Sequence, residues 1–312
     1  MKKALVVPSN RQDNICCFIE KWNKFKDWDL TIVIEDGPDK TFNIDCDYHF
    51  CWADIDKDLG KESWIISRKD SAIRSYGFLK AYEAGADYIL TLDDDCFPIC
   101  DNFFESHIKN LEKTQKWTTS IPDQRTRGVP YKNLGILENV MFSMGLWEGI
   151  PDYDSIQTLS GCFGSIVLPK SRVIPSGQYF PFCGMNFCFK KQVIPICLFA
   201  LMGESSPYRR FDDIWFGIIC KKICDHLKYH IVCGEPYIYH SRASDVFFNL
   251  IKEAPGIKFN EEFWKIIDEI KIKENSPKLC MKEVGISLQN YNDDYLKKYG
   301  KSIEIWSDFF AN

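Results

Sequence analysis

The chain has 312 residues, 45% of them hydrophobic and 15% aromatic, enough to bury one large α/β domain or two small ones. A formal net charge of −5, with acidic and basic residues interspersed, excludes the bulk basic field that would draw nucleic acid. No apolar stretch reaches 18 residues, so no membrane span is expected.

Lys2 and Lys3 precede a short apolar run that Pro8 closes too soon for a signal peptide. Residues 4–7 are therefore expected as a buried first strand. Residues 15–25 place Phe18, Ile19, Trp22 and Phe25 at helical spacing. Residues 31–34 form a second β-rich run, closed by the turn signal Asp36-Gly37-Pro38-Asp39. Residues 71–84 repeat the helical signature through Ala72, Tyr76, Leu79 and Tyr82, and lead into the apolar strand 88–92. This alternation predicts an α/β fold with a mostly parallel sheet flanked by helices. Residues 115–185 are rich in Gly and Pro and read as loops and short strands around a cleft. A helix is expected over 210–227, with Trp215, Ile218, Ile219 and Ile223 on one face, and strands over 229–232 and 237–239. The charged, Lys-rich tail reads as helical. The organisation is thus one domain over 1–260 and a C-terminal helical extension over 261–312.

Fourteen cysteines are scattered with no pair at Cys-x-x-Cys spacing, so structural zinc is not expected. They read as reduced, mostly buried thiols of a cytoplasmic protein. There is no Gly-x-Gly-x-x-Gly and no Walker A string, which argues against flavin, nicotinamide and P-loop chemistry.

The strongest chemical signal is Asp93-Asp94-Asp95, which follows the apolar strand at its carboxyl end. Alternation along an extended segment would point Asp93 and Asp95 the same way, as oxygen donors for Mg2+ or Mn2+. The competing expectation is a solvated loop or helix cap. Asp212-Asp213 follows Arg209-Arg210 at a helix start, where carboxylates also serve as caps and dipole partners. His240, at a strand end near the cleft, is a candidate ligand.

These strings and several others resemble the reversibly glycosylated polypeptides, the UDP-arabinopyranose mutases of plants and their relatives. The resemblance runs through Val6–Arg11, Glu35-Asp36-Gly37, Lys69-Asp70-Ser71-Ala72-Ile73-Arg74, Asp93–Phe97, Gly145-Leu146-Trp147, residues 150–154, residues 182–186, Arg210–Trp215, residues 223–227 and residues 236–241. It implies a glycosyltransferase-A (Rossmann-like) fold binding a nucleotide sugar, with a divalent metal (Mn2+ or Mg2+) held by Asp93, Asp94, Asp95 and His240. Arg11, Asp36, Lys69 and Arg74 would then face the nucleotide, and Asn186 with Asp212 and Asp213 the sugar. Arg127, in Arg-Gly-Val-Pro-Tyr, resembles the family's reversibly glycosylated arginine, although its high pKa favours a diphosphate clamp. The implied activity is a flavin-independent interconversion of pyranose and furanose forms of a nucleotide sugar. A metal-dependent transferase and a non-catalytic binding subunit are the alternatives, with homo- and hetero-oligomers both open.

Overall fold

The apolar runs become strands because each can bury both faces. In the computed structural model, which describes residues 1–121, 124–161, 169–203, 206–241 and 244–311, β1 (Lys3–Ser9) is buried from Ala4 onward. Helix α1 (Gln12–Trp22) carries the chain across to β2 (Leu30–Glu35), which pairs parallel to β1 with Ala4 opposite Leu30. Phe18 and Trp22 of α1 are buried, as their spacing required. The short β3 (Tyr48–Phe50) adds to β2, and α2 (Trp52–Leu59) follows.

The expected helix over 71–84 divides into a 3-10 turn, Ser71–Ile73, and α3 (Arg74–Glu83). Asp70 caps the turn by accepting from the Ala72 N–H at 3.1 Å. Gly77 lets α3 lie directly on β1, since a Cβ there would stand 2.4 Å from Val6 Cγ1. Strand β4 (Tyr88–Leu92) then pairs parallel to the other side of β1.

Next in the chain come β5 (Cys96–Phe97), α4 (Phe103–Lys113), β6 (Val140–Gly149), α5 (Ser155–Ser160), β7 (Arg172–Val173) and β8 (Asn186–Lys190). The remaining elements are α6 (Asp212–Leu227), β9 (His230–His240), α7 (Val246–Glu269), α8 (Pro277–Gln289) and α9 (Asp294–Asp308). One sheet runs β3-β2-β1-β4-β8-β6-β9-β5, with β7 also paired to β9. The α/β architecture is as expected. Its parallel character belongs to β3-β2-β1-β4 and to the β6–β9 pair, because β8 runs antiparallel between β4 and β6. The two strands expected over 229–232 and 237–239 are one, β9.

The expected boundary at residue 260 falls inside α7. Glu253, buried on that helix, accepts from the Ser155 N–H at 2.8 Å and pairs with Arg210 Nε at 2.8 Å. It thereby ties α5 and the start of α6 together. Phe259 and Phe263 of α7 and Tyr295 of α9 pack on Trp215 of α6, with centroids 4.9–5.6 Å away. Among the described cysteines, Cys16, Cys17, Cys46 and Cys100 are half-buried, the rest are buried, and all are free thiols.

Candidate functional site

The carboxyl ends of β1, β2 and β4 lie side by side, and they deliver Ser9, Glu35-Asp36 and the Asp triplet to one edge of the sheet. Strand β4 ends at Leu92, so residues 93–95 form a turn rather than an extended segment. The three carboxylates consequently take different directions. Asp93 pairs with Arg74. Asp94, buried, accepts from Ser9 Oγ and from the Arg11 guanidinium, whose Nε lies 3.3 Å from Oδ2. Asp95, also buried, lies 3.9 Å from Arg11 Nη2 and 3.8 Å from His240 Nε2. Mutual repulsion within the triplet is thus offset by two guanidinium groups. The Arg74 guanidinium, despite burial, keeps the Asp93 carboxyl below the usual range, whereas burial raises Asp94.

Of the expected ligand set, Asp93 and Asp94 are therefore engaged by arginines, and Asp95 and His240 face each other. Among the described residues no three His, Cys, Asp or Glu side chains are gathered as a ligand group. His240 is buried, and its Nδ1 lies 2.7 Å from the Ile150 carbonyl oxygen. A carbonyl oxygen can only accept, so Nδ1 donates to it, and Nε2 is the ring nitrogen turned toward Asp95.

Arg74 does not present a face to a nucleotide. It is 1% exposed, and its guanidinium is spent on Asp93, Thr91 Oγ1 (3.0 Å), the Ser71 carbonyl (3.0 Å) and the Gly184 carbonyl. Its place is structural, holding the triplet against α3. Asp36 is half-buried and accepts three N–H groups: Trp52 Nε1 at 2.8 Å, Lys69 N at 2.9 Å and Asp70 N at 3.0 Å. It fixes the turn in which exposed Lys69 adopts a φ of +57°.

Asn186 was expected at the sugar; the structure corrects this. It is fully buried, with Nδ2 donating to the Leu146 and Pro236 carbonyls at 3.0 Å each, and Oδ1 accepting from His107 Nε2 at 2.9 Å. Both amide hydrogens are spent and no surface remains for a ligand. His107 is neutral, its pKa lowered to about 4 by burial, and its Nδ1 meets Ser143 Oγ at 2.9 Å.

The Asp212-Asp213 pair is joined by two carboxylates that the motifs did not single out, Asp70 and Asp152. Asp212 is buried and accepts from Ser71 Oγ at 2.6 Å, while Asp213 Oδ2 accepts from the Gly184 N–H at 2.9 Å. Asp152 accepts from Cys183 Sγ at 2.8 Å. Burial, and then the neighbouring Asp212 and Asp152, push Asp213 well above the usual carboxylate range. Burial followed by Asp212 does the same for Asp70. Carboxylates so perturbed and clustered, at the start of α6 and on the loops before α3 and after β6, are what acid–base sites are made of. Asp70 and Asp152 both lie in strings that carry the family resemblance, Lys69–Arg74 and residues 150–154, and the resemblance assigns neither a role.

Arg127 is not brought to this cluster. It stands exposed on the loop after residue 124, with no hydrogen-bond or ion-pair partner among the described residues.

Residues 3–311 match the family described as "Reversibly glycosylated polypeptide". UDP-arabinopyranose mutase 1 of Arabidopsis thaliana is 36% identical over 334 residues, spanning 97% of this chain and 90% of that protein. The probable UDP-arabinopyranose mutase 2 of Solanum tuberosum is 37% identical, spanning 97% and 88%. Among solved structures, glucosyl-3-phosphoglycerate synthase from Mycobacterium tuberculosis, in complex with Mn2+ and uridine diphosphate, aligns with a TM-score of 0.45. It is 12% identical, spanning 86% of this chain and 77% of that one.

Proposed function

The chain belongs to the reversibly glycosylated polypeptide family, and from that premise we propose that it is a flavin-independent mutase. Its substrate would be a UDP-sugar of the arabinose class, interconverted between pyranose and furanose forms. The observation that carries this reading is the pairing of an arginine-balanced Asp triplet with a second, proton-retaining carboxylate cluster. The first suits a diphosphate and its counter-cation, and the second suits proton traffic on a sugar.

The residues present fit a divalent cation at one point. His240 Nε2 and an Asp95 oxygen, 3.8 Å apart, offer two electron pairs toward a shared centre. We assign these two as its holders, with Asp93 and Asp94 kept in place beside them by Arg74 and Arg11. When bound, Mn2+ or Mg2+ would supply Lewis-acid stabilisation of the charge on a departing diphosphate.

Arg11, half-buried beside Asp94 and Asp95, has an edge left for a phosphate oxygen. Arg127 is the cation we assign to clamp the far side of the diphosphate once substrate is bound. Burial and two neighbouring carboxylates disfavour the charge on Asp213 and raise its pKa well above the usual carboxylate range, which suits it to carry a proton for transfer. That proton would pass to the ring oxygen as its bond to C1 breaks, the carboxylate would take one from the hydroxyl that forms the new bond to C1, and the diphosphate that had left C1 would return to it. Asp212, fixed by Ser71, sets the position of Asp213 at the start of α6.

No helix among the described residues is long and apolar enough to cross a membrane. The free thiols support a reducing compartment, and we place the enzyme in the cytoplasm.

The test is to incubate the chain with UDP-arabinopyranose and Mn2+ and separate the two ring forms by chromatography. Both should appear from either starting form. Sugar lost from UDP to an acceptor, with no furanose, would replace the mutase with a transferase. Tight binding without any conversion would leave a binding subunit.

A further inference from the structure

We propose that Trp147 is the aromatic wall of the sugar subsite, with Asp152 as its hydroxyl-binding partner. This rests on the nucleotide-sugar reading above and names where in the fold the sugar lies.

Strand register places Trp147. In the parallel β6–β9 pair, Trp147 stands opposite Ile238 and Gly149 opposite His240. Residues level with one another in a ladder share a face, and residues two apart do so too. Trp147 is therefore on the His240 face of the sheet. Glu148 and Tyr239, both exposed, occupy the other face. Two residues at about 3.3 Å each put Trp147 about 7 Å along the strand from the level of His240. Gly149, level with His240 and the next β6 residue on that face, has a φ of +82° and no side chain. A Cβ there would come within 2.8 Å of the His240 carbonyl oxygen and 2.9 Å of the Tyr239 ring, so β6 and β9 close tightly at this level. Nothing from β6 thus stands between the indole and the His240–Asp95 pair.

Trp147 is half-buried, and its edge meets Tyr153 with centroids 6.5 Å apart and planes at 85°. Its Nε1 is buried and has no hydrogen-bond partner among the described residues. A buried indole N–H without an acceptor costs free energy unless something else supplies one. The residue before Tyr153 is Asp152, which accepts from Cys183, next to Gly184 and hence to Asp213. One short stretch so combines a flat apolar ring, an unmet donor and a carboxylate acceptor. A sugar offers the matching set: an apolar C–H face, acceptor oxygens and donor hydroxyls. With diphosphate at the Asp95–His240 pair, the sugar would extend along β6 past Gly149 onto Trp147 and Asp152.

Calorimetric titration of the full chain with UDP and with UDP-arabinopyranose, in Mn2+, tests this. Trp147→Ala should weaken UDP-arabinopyranose at least about 10-fold and leave UDP within about twofold. Trp147→Phe keeps a ring but loses the N–H, and should give an intermediate loss for the sugar nucleotide only. Asp152→Asn should likewise spare UDP. An equal loss for both ligands, or no loss for either, in the folded Phe variant would overturn the subsite. A wild-type chain that binds neither ligand would remove the nucleotide-sugar reading and this proposal with it.

Discussion

Replacing Asn186 with alanine should destabilise the fold without disturbing any ligand. Three hydrogen bonds disappear together: to the Leu146 carbonyl, to the Pro236 carbonyl and from His107 Nε2. All three partners are left in a region where Asn186 is itself 0% exposed, so water cannot replace it cheaply. Each orphaned buried group costs about 1–3 kcal/mol, giving a loss of about 4 kcal/mol even at the lower end with the small cavity added. At about 2.1 cal/mol/K per residue, the unfolding entropy of 312 residues is about 0.65 kcal/mol/K. The midpoint of thermal unfolding should therefore fall by about 6 °C, with UDP-arabinopyranose affinity unchanged at temperatures where the variant is folded. The same network carries a pH signature. His107, at about 4, sits below its ordinary value near 6.5, so the folded state binds fewer protons than the unfolded one. Its contribution is present in full above pH 6.5 and is lost as pH falls toward 4, about 3 kcal/mol in all. His107→Gln should flatten that part of the stability profile. An Asn186→Ala variant with an unchanged midpoint and a tenfold weaker sugar nucleotide would refute this structural assignment.

Asp213 should behave in the opposite sense. Its folded pKa is raised by burial and then by Asp212 and Asp152, so the fold is favoured while the carboxyl is protonated and penalised as pH rises through that value. Asp213→Asn should therefore be more stable than wild type at pH 8, by a margin that shrinks toward pH 4, with turnover lowered about 100-fold or more; a variant destabilised at pH 8 would contradict this. Chelation with EDTA should abolish turnover and Mn2+ restore it, while Asp95→Asn and His240→Gln should lose saturable Mn2+ binding by calorimetry. Full turnover of Asp95→Asn in chelator would remove the cation from the mechanism. Arg127→Lys should retain part of the activity that Arg127→Ala loses, because the charge survives without the planar fork. Intact-protein mass spectrometry should find no sugar adduct; a stoichiometric adduct on Arg127 that chases into product would make it a covalent carrier instead.

What the sequence disclosed follows the range of the forces involved. Local periodicity located α1, α3 and α6, and continuous apolar runs located β1, β2 and β4. The antiparallel entry of β8 between β4 and β6 depends on partners roughly 40–100 residues away, and nothing within residues 186–190 encodes that direction. Pro236 and Gly234 broke the pattern of β9, so one strand read as two. Asp93–Asp95 was read with strand alternation, yet β4 stops at Leu92 and the turn sends Asp94 inward to Ser9 and Arg11. Asn186 and Arg74 read as ligands because they are polar within distinctive strings. Only packing reveals that His107, Thr91 and Gly184 already occupy them.

The position of Glu253 bears on how this chain can be divided. A truncation at residue 260 would leave the Glu253 link from α5 to Arg210 in place but strip away two of the five aromatic rings around Trp215, Phe263 and Tyr295. That indole is fully buried one turn into α6, directly after the Asp212-Asp213 pair. The C-terminal helices are thus the floor on which the acidic end of α6 rests. Shortening the protein from that end would blur the carboxylate geometry before any residue of the cleft was removed.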